Sequence, residues 1–348
     1  MNICRIFRSL VASQLVSAFT LVLSPVLPGQ QPYRMIDKWS VGGTGTWDYL
    51  AFDASAKRLY VAHNARVEVI NTESGKPVGA VEGLKSTHGI AFNPDRKTGY
   101  ISDGAGNAVV VFDRATLQVT ATIVAGTNPD GIVYEPTTAT VWAFNGKSVN
   151  ATVIDATARK VIATVPVPDK PEFPVADGIG TIYVNIDGKN EIARIDARQR
   201  KIVAEWPLAG CESPSGLSFD SVHRRLFSVC DGGKMAVIDA DTGKQLASVA
   251  IGDGPDAVVF DPKRQLVFTS NGDDGTLSII DASRSNYPAI QTLKTLNGAR
   301  TMAYDAVSGR AFLAWAKFAE AAAATPTATH TRPKGIEPGS FVILVVAK

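Results

Sequence analysis

The amino-acid sequence predicts an all-β fold, a seven-bladed β-propeller built from four-stranded blades. Three observations predict it: a repeat of 41 to 43 residues, short runs of strand-forming residues within each repeat, and a lone strand at the start of the chain that the last repeat lacks. Runs such as 109–112 (VVVF) are too short and too β-branched for helices, which excludes a helical repeat.

Each repeat carries two aromatic positions eight residues apart. The first lies in the predicted inner strand, at Phe52, Phe92, Tyr134, Phe219, Phe260 and Tyr304. The second lies in the predicted second strand, at Tyr60, Tyr100, Trp142, Phe227, Phe268 and Phe312. The fourth unit keeps Tyr183 at the second position but has Val175 at the first.

The third strand of each repeat closes with Asn or Asp, whose side chain can bond the backbone two residues on and begin a turn. These residues are Asn71, Asp113, Asp155, Asp196, Asp239 and Asp281, with successive spacings of 42, 42, 41, 43 and 42 residues. That period matches a blade of four short strands.

The two ends of the chain complete each other. Residues 33–43 look like a fourth strand without the first three, whereas the last unit has strands at 302–304, 311–315 and 341–346 and then stops. Pairing the first strand with the last closes the ring and removes an exposed sheet edge. We therefore expect residues 32–348 to form one propeller domain.

The residues just before each inner strand should ring the mouth of the central channel, where binding sites usually lie in this architecture. We expect ligand-binding residues there at Trp47, Asp48, His88, Asp130, Phe173, Ser215, Asp256 and Arg300. Four of them (Trp47, His88, Phe173 and Arg300) depart from the repeat, and the repeat alone does not explain them. The alternative for each aspartate is that it only orders the turn before its strand.

We expect no metal or other cofactor at this mouth. Asp48, Asp130, Glu172 and Asp256 offer oxygen ligands suited to Ca²⁺, but they come from different blades and should be spread around a wide ring. Ca²⁺ remains the open alternative. The chain shows no covalent haem motif, phosphate loop or Ser-His-Asp arrangement, and the other histidines (His63, His223 and His330) are expected to be exposed.

Cys211 and Cys230 are disulfide candidates. Cys211 precedes the inner strand of blade five and Cys230 ends the next strand, so the two should be neighbours at one face of the blade. Two free thiols are the alternative.

Residues 316–340 replace the short turn between the second and third strands of blade seven. Ala, Thr and Pro dominate this segment, which favours a flexible insertion. Because that turn belongs to the mouth face, we expect the insertion to shield or gate the mouth.

Residues 1–31 are predicted to be a signal peptide. Arg5 and Arg8 precede an apolar run over 10–27, and cleavage is expected after Gly29. An uncleaved membrane anchor is the alternative. The protein should therefore be periplasmic or secreted, with no membrane attachment after cleavage.

The charge balance argues against nucleic acid as a partner. Removing residues 1–31 takes two of the 35 basic side chains and none of the 33 acidic ones, which leaves 33 of each. A chain with no net charge has no bulk attraction to nucleic acid or to an anionic membrane. The basic run at 194–201 keeps a DNA-contacting surface open as a third alternative.

Several segments resemble the YVTN-repeat propellers, the YncE-like family of exported bacterial proteins. They are PDGIVYEP at 129–136, RLYVAHN at 58–64, TIYVNIDGKNEIARID at 181–196 and GARTMAYD at 298–305. The resemblance runs from about residue 33 to the C terminus. It implies the propeller fold, a likeness to lactonase-type propellers, and no particular catalytic residue.

The sequence thus favours a monomeric, non-enzymatic binding or scaffold propeller, with a partner protein, peptide or small ligand at the channel mouth. A metal-dependent lactonase-type hydrolase that uses the same mouth is the alternative.

Overall fold

Seven antiparallel sheets of four strands each make up the described part of the chain in the computed structural model, which describes residues 31–318 and 335–348. This confirms the predicted seven-bladed propeller. Residues Tyr33–Lys348 form one unit, and the predicted signal peptide lies outside the described residues except for Gln31.

The first two strands of each blade lie nearest the channel axis. The inner strands of blades one to seven are β2 (Trp47–Asp53), β6 (Thr87–Phe92), β10 (Pro129–Glu135), β14 (Pro171–Ala176), β18 (Leu217–Asp220), β22 (Pro255–Asp261) and β26 (Met302–Asp305). The second strands are β3 (Arg58–His63), β7 (Thr98–Asp103), β11 (Thr140–Asn145), β15 (Thr181–Ile186), β19 (Arg225–Cys230), β23 (Leu266–Asn271) and β27 (Arg310–Trp315).

The other two strands of each blade extend outward. The third strands are β4 (Arg66–Asn71), β8 (Ala108–Asp113), β12 (Asn150–Asp155), β16 (Glu191–Asp196), β20 (Lys234–Asp239), β24 (Thr276–Asp281) and β28 (Val342–Ala347). The outer strands are β5 (Pro77–Val81), β9 (Val119–Val124), β13 (Lys160–Pro166), β17 (Lys201–Pro207), β21 (Gln245–Ala250), β25 (Ala289–Lys294) and, for blade seven, β1 (Arg34–Ser40). A short 3-10 helix (Asp187–Lys189) follows β15.

The inner strands form a closed ring around the channel. Each one contacts the inner strands of both neighbouring blades, and β2 contacts β26 across the point where the first and last blades meet. The ring therefore has no open side.

Aromatic pairs between neighbouring blades explain the two repeated aromatic positions. The second-strand ring of one blade is fully buried and packs against the inner-strand ring of the next blade. Ring centroids lie 5.0 to 6.5 Å apart in Tyr60–Phe92, Tyr100–Tyr134, Tyr183–Phe219, Phe227–Phe260, Phe268–Tyr304 and Phe312–Phe52. The pair is missing between blades three and four because Val175 takes the place of the inner ring.

The ends of the chain meet as predicted. Strand β1 pairs antiparallel with β28, with Trp39 opposite Ile343. The Trp39 ring is buried, lies 5.4 Å from the Phe312 ring and packs on the Gly75 turn of blade one. Trp39 thus joins the last blade to the first.

The insertion in blade seven is anchored at both ends. Phe318 bridges Ile336, and Lys317 forms an ion pair of 2.7 Å with Glu337. Ala316 and Ile336 are buried in the core between blades seven and one, so the segment at 316–340 includes packed residues at both ends. Its remaining part, residues 319–334, lies outside the described residues.

Cys211 and Cys230 are joined by a disulfide, with their Cα atoms 5.3 Å apart. The bond links the segment before β18 to the end of β19, next to the bridge between Glu212 and Asp231. Among residues 31–318 and 335–348, no helix has the length and apolar character needed to cross a bilayer.

Replacing Trp39 with alanine should destabilise the whole propeller, because it removes a buried ring at the contact that closes it. We expect a loss of about 3–5 kcal/mol in the free energy of unfolding, measured by denaturant titration. The control is Ile36→Ala, an apolar residue of the same strand that is 41% exposed. Similar losses in the two variants would contradict the role given to Trp39.

Candidate functional site

A β-bulge shapes the inner strand at the channel mouth in five blades. The strand register shifts between Trp47 and Leu50, Thr87 and Ile90, Pro129 and Ile132, Pro171 and Pro174, and Pro255 and Ala257. A bulge adds a residue to one strand and redirects its side chains. The residues inside these bulges include Asp48, His88, Asp130, Glu172 and Asp256.

Glycines allow neighbouring inner strands to approach closely at the same level. A Cβ atom on Gly89 would lie 2.8 Å from the Asp130 carbonyl oxygen, and one on Gly131 would lie 2.6 Å from that of Glu172. Neither position has room for a side chain. The inner strands of blades two, three and four are therefore packed closely together, and Gly216 allows the same approach between blades five and six.

The close approach brings three predicted site residues together. Asp48, His88 and Asp130 come from blades one, two and three, and their ligand atoms all lie within 4.8 Å of one another. His88 Nδ1 is 2.5 Å from Asp48 Oδ2 and 3.8 Å from Asp130 Oδ1. The expectation that the acidic residues are spread around a wide ring is wrong for Asp48 and Asp130, because the inner strands of blades one, two and three lie directly against one another.

His88 is held from both ends of its imidazole. Its Nδ1 bonds Asp48, and its Nε2 packs on Gly104, where a Cβ atom would lie only 2.5 Å away. Burial disfavours the imidazolium, but the hydrogen bond to Asp48 and the charge of Asp130 outweigh it and raise the pKa of His88. The ring is therefore more often charged at neutral pH than an exposed histidine.

Asp130 differs from the other acidic residues of the mouth. Its side chain is 17% exposed and makes no hydrogen bond within the described residues, and its ion-pair partner there is His88 at 3.8 Å. Burial, followed by the negative charge of Asp48, raises the pKa of Asp130 to about 7. Burial also raises the pKa of Glu172, although Lys170 opposes this.

An aromatic pair crosses the channel at the level of these carboxylates. Tyr49 of blade one and Phe173 of blade four pack edge to face, with ring centroids 5.2 Å apart. Burial and the charges of Asp130, Asp48, Glu172 and Asp256 raise the pKa of Tyr49 well above its ordinary value. The hydroxyl therefore stays protonated. A cavity of about 200 Å³ in the channel is lined by both rings and by Met302 and Tyr304, among others.

The predicted site residues Arg300, Ser215 and Trp47 lie outside the group formed by Asp48, His88 and Asp130. Arg300 forms an ion pair with Asp256, with Nε 3.2 Å from Oδ2. Ser215 donates a hydrogen bond of 3.0 Å to the Pro255 carbonyl and so joins blade five to blade six. Trp47 is buried between blades seven and one, with its ring 5.3 Å from that of Phe341, and is not part of the group formed by Asp48, His88 and Asp130.

Sequence reasoning missed Tyr49 and Lys170. Tyr49 follows the mouth residue of blade one, a position at which blades two, three and five have glycine. That departure from the repeat was the available signal. Lys170 lies one residue before its strand and forms ion pairs with Glu172 and Asp187.

His63 is not exposed, contrary to expectation. It lies at the end of β3, is 2% exposed, and its ring stacks against Phe341 with centroids 4.3 Å apart. The sequence places it next to a turn, but the segment that returns at Phe341 covers it. His223 is half exposed, and His330 lies outside the described residues.

Asp48, His88 and Asp130 could hold a divalent metal ion. Two carboxylates and an imidazole are a donor set that zinc and similar ions accept. An ion there would have to replace the proton that His88 and Asp48 share.

Comparison with known proteins gives two kinds of match. No protein-family model matches the chain. The uncharacterized protein YncE of Escherichia coli O157:H7 and that of strain K12 are each 25% identical to it over 198 residues. The match covers 52% of this chain and 56% of those proteins, so the chain spans about half the length of the curated relatives it matches.

Among solved structures, Kuenenia stuttgartiensis hydrazine synthase superposes with a TM-score of 0.70 at 15% identity, over 79% of this chain and 93% of that one. At this identity the likeness shows the fold alone. The homology to YncE and the seven-bladed fold together support the resemblance of this chain to the YncE-like β-propeller family.

Asp130→Asn should stabilise the protein much more at pH 8 than at pH 5. A carboxyl whose pKa is raised by folding contributes less stability as the pH rises from its unfolded value, near 4, through its folded value, about 7. The amide cannot ionise and avoids that loss, which for a shift of about three pKa units is on the order of 4 kcal/mol at pH 8 and about 1 kcal/mol at pH 5. Thermal unfolding at the two pH values measures it.

Glu73→Gln is the matched control, because Glu73 is largely exposed and lies in a turn on the opposite face of blade one. It should show no such pH dependence. A destabilised Asp130→Asn at pH 8 would contradict the environment described for this carboxyl.

Proposed function

We propose that this YncE-like propeller is a binding protein that holds a positively charged small ligand at its channel mouth. The observation that supports the proposal best is Asp130, a carboxyl that is mostly buried at the mouth and has no hydrogen bond from the described residues. Its ion pair with His88 is long, at 3.8 Å, so a ligand cation would supply the direct hydrogen-bonded partner that this carboxyl lacks.

The other acidic residues of the mouth already have cationic partners. Asp48 pairs with His88, Glu172 with Lys170, and Asp256 with Arg300. Each pair is partly shielded from water. Loss of one partner would leave an unpaired charge in a poorly solvated place, which costs free energy. A ligand is therefore expected to engage Asp130 first and to leave these three pairs in place.

The raised pKa of Asp130 also favours a binding role. Carboxylates held close together disfavour one another's ionisation, which reduces the stability of the folded protein at neutral pH. Groups with pKa values shifted in this way concentrate at functional sites. Cation binding would favour the ionised carboxylate, so affinity should rise as the pH increases through the pKa of Asp130, about 7.

We also propose that the protein works outside the cytoplasm. The disulfide between Cys211 and Cys230 supports this, because such bonds persist in oxidising compartments. The charge pattern of residues 1–31 supports the same location.

A thermal-shift screen tests the binding proposal. Wild-type protein at pH 8 should be stabilised by some organic ammonium or divalent metal ions, and by neither acetate nor phosphate. At about 100 times Kd the gain should be about 2.7 kcal/mol. Asp130→Asn should lose the response and Glu73→Gln should keep it. Stabilisation by the anions instead, or an undiminished response in Asp130→Asn, would overturn the proposal.

A metal-dependent hydrolase of the lactonase type is the second candidate. The observation that favours it is the convergence of the ligand atoms of Asp48, His88 and Asp130 within 4.8 Å. A bound divalent ion could polarise a lactone carbonyl or activate a water molecule. Within this chain, those three residues would hold the ion.

Metal analysis distinguishes the two candidates. The hydrolase candidate predicts about one equivalent of tightly bound transition metal in purified wild-type protein, and lactone hydrolysis that His88→Ala and chelation both abolish. Wild-type protein that binds no metal at micromolar concentrations would exclude it.

A further inference from the structure

The aromatic pair at the mouth narrows the class of cation. Tyr49 and Phe173 stand directly after the mouth residues of blades one and four, where three other blades have glycine. Only at these two positions of the described mouth does a ring replace a small or hydroxyl-bearing residue. The rings meet across the channel at 5.2 Å and form an aromatic floor, the pair Tyr49–Phe173.

Tyr49 connects this floor to the carboxylates. Its hydroxyl makes no hydrogen bond within the described residues. The negative charges of Asp130, Asp48, Glu172 and Asp256 interact electrostatically with it. The ring itself is partly exposed. The mouth thus combines an aromatic pair with carboxylates whose charges act on it, and aromatic rings with nearby negative charge bind ammonium groups in proteins.

The charge balance favours one positive charge. The four carboxylates around Tyr49 face three cationic side chains, His88, Lys170 and Arg300, and His88 is shared between Asp48 and Asp130. One carboxylate is neutralised by a monovalent cation.

The rim already holds a protein ammonium group. Lys170 Nζ lies between the carboxylates of Glu172 and Asp187, 3.0 Å from Asp187 Oδ2. Two carboxylates of the rim thus hold an ammonium group of the chain itself.

We infer that the ligand is a monovalent organic ammonium ion, bound between the Asp130 carboxylate and the aromatic floor of Tyr49 and Phe173. This inference rests on the proposed function, since it names the ligand class of the same site. Contact with a ring face distinguishes an organic ammonium from a hydrated metal ion, which prefers oxygen and nitrogen ligands.

Calorimetric titration of the full chain with tetramethylammonium chloride at pH 8, in the presence of a chelator, tests the inference, with sodium chloride as the reference salt. Wild-type protein should bind tetramethylammonium. Tyr49→Leu should weaken binding by about fivefold or more, because the ring is lost, and Tyr49→Phe should recover most of that affinity. Asp130→Asn should weaken binding by about tenfold, and Glu73→Gln should bind as the wild type does.

Separate titrations with zinc and calcium chloride without chelator distinguish the failures. If wild-type protein binds a metal ion through Asp130 but not tetramethylammonium, the inference is overturned and the proposed function stands. The inference is also overturned if Tyr49→Leu, shown to be folded by its thermal transition, binds tetramethylammonium as tightly as Tyr49→Phe. If wild-type protein binds neither the ammonium ion nor a metal, both proposals are overturned.

Discussion

The close packing of the inner strands around the channel axis controls the chemistry of the mouth. Gly89 and Gly131 leave no room for a Cβ atom beside the next blade's backbone, so residues from separate blades meet within a few ångströms. The ring itself is closed by β1, which completes the last sheet, and by Trp39 and Phe312, which join the end of the chain to its beginning.

Crowding of carboxylates has an energetic consequence. Acidic groups held together and partly buried resist ionisation unless cations compensate them. Three positive side chains do so for Asp48, Glu172 and Asp256, whereas Asp130 shares His88 with Asp48 at the longer distance of 3.8 Å. Among these residues the mouth has four carboxylates and three cationic side chains. The proposed cation would compensate the remaining negative charge.

The sequence was sufficient for the blades and their closure, because the repeat records inter-blade packing directly. Each aromatic that recurs with the repeat is one half of a ring pair, and Val175 marks the one interface where the pair is missing.

The site was only partly predictable. Asp48, His88 and Asp130 follow from their place before the inner strands, but their separation depends on bulges and on glycine contacts that no pattern in the chain displays. Tyr49 could have been found as a ring where other blades have glycine, whereas the burial of His63 depends on a segment distant in sequence.

The ionisation of Asp130 in the unmodified protein is the most direct test of this account. Carbon-13 NMR of the aspartate side-chain carboxyls, with Asp130→Asn to assign the signal, would follow it across the pH range. The account predicts a transition close to pH 7. A transition near 4, the value of an exposed aspartate, would show that the carboxyl is already compensated and would contradict the account.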